Sequence, residues 1–425
     1  MDIDRSQIAK GAYFTLLKTE KFKAGLISVL FLSALDEKTA AVNALFPQVL
    51  LRGCEKFPNM TALARRKKSV YDTGLGATIY NIGENQVYGF NLDVLNDRYS
   101  IDGMKITEEA TDLLLDVITS PVTENGAFKA EYVESEKKRL TDRINAQKNN
   151  KNAYAVNRCT EEMCRGERYG ISEIGTVETV SAATPESIYS AYKRALKCAR
   201  LEIVAVGSFD ASLKDKFAEA FSRFEREPEA LCETEILRAP RGAVRRFTEK
   251  QKVTQGKLVI GFRTGSVISD ADYAATALAV EIYGGSPISK LFMNVREKKS
   301  LCYYCSASPD GTKGIMTVRS GIDFSKYEAA KDEIYRQLEL MKNGEITENE
   351  FEGAKKTLIN SIRERSDDPG AMRGWYLGRL ISGAKQTTEE YIDEINRVTM
   401  DQVKEKAAGF LPDLEYFLKG EDGNE

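Results

Sequence analysis

Two side chains, one cysteine pair and one absence bound the chemistry open to this chain. Arg296 and Tyr303 lie seven positions apart, and Cys302-Tyr-Tyr-Cys305 overlaps the second of them. A guanidinium and a phenol are hydrogen-bond donors, the first charged at any physiological pH. The Cys-x-x-Cys spacing is that of a redox or zinc pair. On a regular strand, however, its sulfurs are expected on opposite faces, and no second pair exists to complete a tetrahedral site. The absence is histidine, of which the chain has none. That excludes Ser-His-Asp and Cys-His machinery and every His-ligated zinc hydrolase.

The elements that must position Arg296 and Tyr303 are legible around them. Gly284-Gly285 ends one element, and Ser286-Pro287 predicts a helix start, with a hydroxyl cap and a proline where no backbone donor is needed. Leu291, Phe292 and Val295 fall on one face of the short helix that follows, while Lys290, Asn294, Arg296, Glu297 and Lys298 cover the other. From Leu301 the period becomes two. Leu301, Tyr303, Cys305 and Ala307 are expected on one side of a strand, and Cys302, Tyr304, Ser306 and Ser308 on the other.

The chain has 425 residues, 42% hydrophobic and 29% charged, which suits a soluble globular protein of two to three domains. A net charge of −3 gives no pull toward nucleic acid or anionic lipid. The amino terminus MDIDRSQIAKGAY is acidic and polar, and no apolar run has membrane length, so a cytoplasmic protein without secretion signal or membrane span is expected. Seven scattered cysteines fit reduced thiols.

Tyr13 to Leu17 and Leu26 to Leu32 read as strands, and Asp36-Glu-Lys-Thr39 as a helix start. An internal echo follows. Arg65-Arg66-Lys67-Lys68-Ser69-Val70 matches Arg296-Glu297-Lys298-Lys299-Ser300-Leu301. Thr123-Glu124-Asn125 with Phe128 matches Thr347-Glu348-Asn349 with Phe351, each before a basic helical run, and VSAATPESIYSAYKRAL before LEIVAVG matches INRVTMDQVKEKAAGFL before LEYFLKG. Three echoes in one order imply a duplicated unit of about 200 residues. The expected fold is α+β: two homologous domains, 1–225 and 249–425, each an antiparallel-rich sheet covered by helices, with a linker over 226–248. The basic clusters Arg245-Arg246 and Arg65 to Lys68 read as solvated faces.

YGGSPISKLFMNVREKKSLCYY resembles the second-domain signature of insulinase and pitrilysin-type metallopeptidases, of the kind that includes mitochondrial processing peptidase. The resemblance spans essentially the whole chain and is strongest to the histidine-free, YmfF-like bacterial members. In active relatives the first domain carries H-x-x-E-H, two histidines holding zinc and the glutamate activating water. Alignment on Leu51-Arg52-Gly53-Cys54 puts the ligand positions on Ala44 and Gln48 and the base position on Pro47. The third ligand position falls on Arg143, or on Asp142 if shifted by one. Alanine and proline offer no donor atom and glutamine is a poor ligand, so no metal and no cofactor are expected.

The second-domain features are kept. In the family an arginine and a tyrosine face the zinc across a closed chamber, and the resemblance implies that role for Arg296 and Tyr303: a guanidinium and a phenol able to polarise a peptide carbonyl. The plainer alternatives are an arginine in a surface ion pair and a tyrosine packed in the sheet. Some family enzymes are heterodimers, which implies a clam-shaped complex with a zinc-bearing homologous subunit, or with a second copy of this chain, around a peptide substrate. The chain alone would then be no enzyme. Strand addition by peptide in the first domain is weakened, because GLGATIYNIGENQVYGF departs from the usual Asn-Ala-x-Thr pattern. The alternative is a structural or assembly subunit without peptidase role; the YmfF-like group has also been associated with modification of elongation factor P.

Overall fold

Residues 2–421 are described by a computed structural model. The β-branched and aromatic runs near the amino terminus form strands, as their composition requires. The strands of the first half are β1 (Asp2–Ala9), β2 (Ala12–Lys18), β3 (Ala24–Ala34), β4 (Gly74–Ile82) and β5 (Asn85–Leu95). A small hairpin β6 (Thr123–Glu124) and β7 (Ala127–Phe128) precedes β8 (Arg200–Gly207). The main sheet runs β1-β2-β8-β3-β5-β4. Its central strand β3 is buried along most of its length, which is why its sequence is continuously apolar rather than alternating. Helix Ala40–Leu50 covers one face. Its Leu45, Phe46, Val49 and Leu50 are at most 2% exposed, and Phe46 meets Tyr88 of β5 edge to face at 5.6 Å.

The second sheet contains β9 (Arg245–Gln251), β10 (Gly256–Arg263), β11 (Cys302–Asp310), β12 (Ile315–Ile322) and β13 (Leu411–Gly420), in the order β11-β12-β10-β13-β9. Taken from the β11 edge, every pair is antiparallel except the last, β13 with β9. The first sheet repeats this succession as β4-β5-β3-β8-β2, with β8 and β2 as the parallel pair. The duplication heard in the sequence is therefore a duplication of topology, with β1 as an additional edge strand. β9 begins inside the stretch expected to be linker. Arg245 and Arg246 are not merely solvated: they reach Asp413 and Glu415 of β13, each at 2.9 Å. Arg66 of the first basic cluster likewise pairs with Glu109.

The chain divides into two compact units, and neither is contiguous. One comprises 1–145, 171–233 and 366–377; the other comprises 146–170, 234–365 and 378–425. Each sheet thus carries a helical segment encoded in the opposite half, so the units cut across the contiguous boundaries read from sequence. In the first unit, Arg373 donates to Ser28 Oγ at 3.0 Å and to Asn91 Oδ1 at 2.5 Å, and Tyr376 meets Thr15 Oγ1 at 3.1 Å. In the second, helix Lys151–Met163 lays Ala155, Cys159 and Met163 on Val259, Leu414 and Tyr416. The contact is close: a Cβ on Gly261 would lie 2.6 Å from Met163 Sδ, so a side chain there would push the methionine thioether aside. Among the described residues no helix is long and apolar enough to cross a membrane, and all seven cysteines are free thiols.

Candidate functional site

The helix carrying Arg296 starts later than its sequence signal. Ser286 and Pro287 lie in a turn, and Ser289, whose Oγ accepts from Phe292 N–H at 3.4 Å, precedes Lys290. Leu291–Lys298 is wound as a π-helix. Leu291 and Val295 are buried, and Lys290 is fixed to Glu350 at 3.0 Å. The helix ends on Ser300, whose φ of +49° is the left-handed conformation usual for glycine at this place. Leu301 N–H donates to Val295 O and Ser300 N–H to Arg296 O, both at 3.0 Å, so two orphan carbonyls are satisfied by one reversal.

Lys299, beside that reversal, meets Glu333 of helix Tyr327–Lys342 at 2.5 Å. Glu333 also accepts from Arg336 at 2.9 Å and Gln337 at 2.6 Å. Burial alone would raise its carboxyl, but the donors from Arg336, Lys299 and Gln337 prevail and hold it at about 2, against an ordinary 4.5. A depressed carboxylate contributes stability that is complete above its unfolded value of 4.5 and is lost as pH falls through about 2. Glu333→Gln should accordingly flatten the acid limb. In urea titrations at pH 5, 4 and 3 the native chain should lose stability faster than the variant, and parallel losses would refute the assignment.

Contrary to the alternation expected from sequence, Tyr303 does not share a face with Cys305 and Ala307. Cys302 pairs with Ile322 and Tyr304 with its neighbour Gly321, so the ladder shifts and Tyr303 is the extra residue of a bulge. It is 60% exposed, whereas Cys305 and Ala307 are 3% and 4%. The bulge therefore also overturns the expectation that the two sulfurs point apart. The Tyr303 hydroxyl donates to Asp323 Oδ1 at 2.9 Å, and that bond raises its pKa. The Arg296 side chain is 41% exposed, stands 3.6 Å from Glu297 and lies over the Phe292 ring at 4.6 Å. Both donors are thus presented at the surface of the second unit, each with a carboxylate partner of its own.

In the first unit the positions aligned with the metal ligands hold no ligand set. Ala44 is 5% exposed and belongs to the core, Pro47 is buried beside it, Gln48 is half-buried, and Arg143 and Asp142 are exposed on helix Ala130–Ala146. Pro47 lacks the N–H that would bond Asn43 O, yet the helix continues, because its apolar residues are fixed in the core. The two helices are joined nearby by Arg52, just past the end of the first, whose Nε reaches Glu136 Oε1 at 2.5 Å and whose Nη2 reaches Ser135 at 2.5 Å. Glu136 is 3% exposed and its other partner is Arg139 at 3.3 Å. The signal that could have found this pair is an arginine one turn past Gln48 and a carboxylate on the helix expected to carry the third ligand.

Residues 182–358 match the family described as Peptidase M16 inactive domain. A Bacillus subtilis (strain 168) protein called "Probable inactive metalloprotease YmfF" is 30% identical over 408 residues, covering 96% of both chains. The chain belongs to the peptidase M16 family. A crystal structure of a conserved Enterococcus faecalis V583 protein superposes with TM-score 0.91 at 28% identity, covering both chains fully. The peptidase M16 inactive domain from Pseudomonas fluorescens shares the fold, with TM-score 0.79 at 19% identity over 99% of this chain and 98% of its own. Within the M16 family this chain is an inactive metallopeptidase homologue.

Proposed function

We propose that this chain is the zinc-free subunit of a two-chain M16 peptidase and lends Arg296 and Tyr303 to a chamber completed by a zinc-bearing homologue. The observation that carries the reading is an asymmetry. The aligned metal positions include Ala44 and Pro47, which have no donor atom, and Gln48, a poor ligand, while Arg296 and Tyr303 remain exposed on the second unit. In that role the partner's metal would activate water. Arg296 and Tyr303 would bind the peptide backbone and the oxygen on which negative charge develops.

The test is reconstitution. Mixed with a homologous subunit that carries H-x-x-E-H, the chain should form a heterodimer that cleaves peptides neither subunit cleaves alone. Zinc should be found at one equivalent per heterodimer, and less than a tenth of an equivalent should stay with the purified chain. One equivalent bound by the chain alone would refute the alignment of Ala44, Pro47, Gln48 and Arg143. A second reading, an assembly subunit without peptidase role, is favoured by the carboxylates already engaging both donors: Glu297 beside Arg296 and Asp323 on Tyr303. It predicts a heterodimer without cleavage.

A further inference from the structure

β11 is an edge strand of its sheet, and its one irregularity falls between two cysteines. Cys302 stands opposite Ile322 and Cys305 opposite Ser320. Ile322 and Ser320 are two residues apart on one face of β12, so the two cysteines also share a face. On a regular strand a three-residue separation spans about 10 Å. Across the bulge the separation contracts to that of two residues, about 6–7 Å. This reaches the upper end of the Cα separation that a disulfide spans, about 4.4–6.8 Å. An edge strand with one free side can close the remainder more easily than a central one.

The two thiols differ in environment. Cys302 is half-buried and Cys305 is 3% exposed. A hydrogen bond from the Cys305 thiol holds the Cys302 thiol below its usual value, against the effect of burial. The Ser320 hydroxyl and the charges of Arg296 and Lys326 act in the same direction. Cys305, whose proton is engaged with Cys302 and which is buried as well, is pushed well above the usual value. The less buried member is thus the better nucleophile.

We propose that Cys302 and Cys305 form a reversible dithiol–disulfide site that is oxidised by low-molecular-weight disulfides. The Cys302 thiolate attacks one sulfur of the small disulfide, breaking its S–S bond, forming a mixed disulfide and releasing one thiolate. Cys305 then gives up its proton and attacks the Cys302 sulfur, which expels the second small thiolate. Two electrons pass from the protein to the reagent, and two small thiols are produced for each protein disulfide formed. The bond would close the four-residue segment whose outward residue is Tyr303. The site is independent of any partner chain.

The experiment treats the full chain with oxidised glutathione, alkylates the remaining thiols and maps tryptic peptides by mass. Ser300–Lys313 contains both cysteines and no others. In the native chain this peptide should lose both free thiols and retain no glutathione, and a dithiol reductant should restore them. Cys305→Ser should trap one glutathione on Cys302, and Cys302→Ser should trap none on Cys305. A native chain that keeps both thiols free, or carries stable glutathione on Cys302 without closure, overturns the proposal. So does a folded Cys305→Ser variant, verified by circular dichroism, that takes up no glutathione.

Discussion

Arg296→Ala in the reconstituted two-chain enzyme is expected to lower kcat by about 10²–10³-fold with little change in KM, the usual consequence of removing one donor aimed at a developing oxyanion. The split matters, because an arginine that merely held the helix end would move stability or assembly instead. The guanidinium is free to serve: its ion pair with Glu297 is long, at 3.6 Å, and 41% of the side chain is exposed, so redirecting it toward substrate costs little. Tyr303→Phe should give a smaller fall in the same parameter. The hydroxyl must first leave Asp323, which retains Lys326 at 3.3 Å as a partner. The double variant should lose less than the product of the single losses, because in the proposed role both donors act on one oxygen. Lys298→Ala, on the same helix, is the control and should cleave as the native complex does. Cleavage indifferent to Arg296 and Tyr303 would refute the role proposed for them.

Arg263→Met is expected to cost the second unit about 3–5 kcal/mol, the range for stripping one partner from a buried charge network. Arg263 is 1% exposed and bonds Asp413 Oδ2 at 2.7 Å, Glu167 at 2.7 and 3.1 Å, and Met163 O at 3.0 Å. Lys313, fully buried, adds a contact to Glu167 at 2.8 Å. Burial would raise the Glu167 carboxyl, yet the bonds from Arg263 and Lys313 leave it depressed. Methionine fills the volume but leaves Asp413 and Glu167 short of charge. Urea unfolding should show the loss, with Arg246→Met as the contrast. Arg246 is 69% exposed beside Glu415, and its variant should lose clearly less stability than Arg263→Met. Equal losses for the two variants would refute the argument.

Leu26 to Leu32 and Tyr13 to Leu17 were legible as strands because buried strands write long apolar runs, and the three echoes were legible because duplicated topology preserves helix starts and strand ends. The bulge at Tyr303 was not. An extra residue in a ladder leaves no mark on one strand, since the register belongs to the pairing with β12. Strand β9 was hidden for a related reason: Arg245 and Arg246 look like a solvated linker until Asp413 and Glu415 are brought beside them. The exchange of helical segments was equally silent. The apolar stripe of Lys151–Met163 shows that the helix must be covered without showing by which sheet. At the candidate site, side-chain types identified Arg296 and Tyr303, while the paired carboxylates Glu297 and Asp323 became apparent only from distances.

The exchange also sets an order of events during synthesis. β8, the last strand of the first sheet, ends at Gly207, but the segment that covers Thr15, Ser28 and Asn91 begins at Ser366. At about 5–20 residues per second, a ribosome needs roughly 8–30 s to supply it. During that wait the uncovered side presents Leu26, Leu30, Val204 and Val206 beside the hydroxyls and the amide, so a nascent first half keeps an apolar face open until the segment arrives.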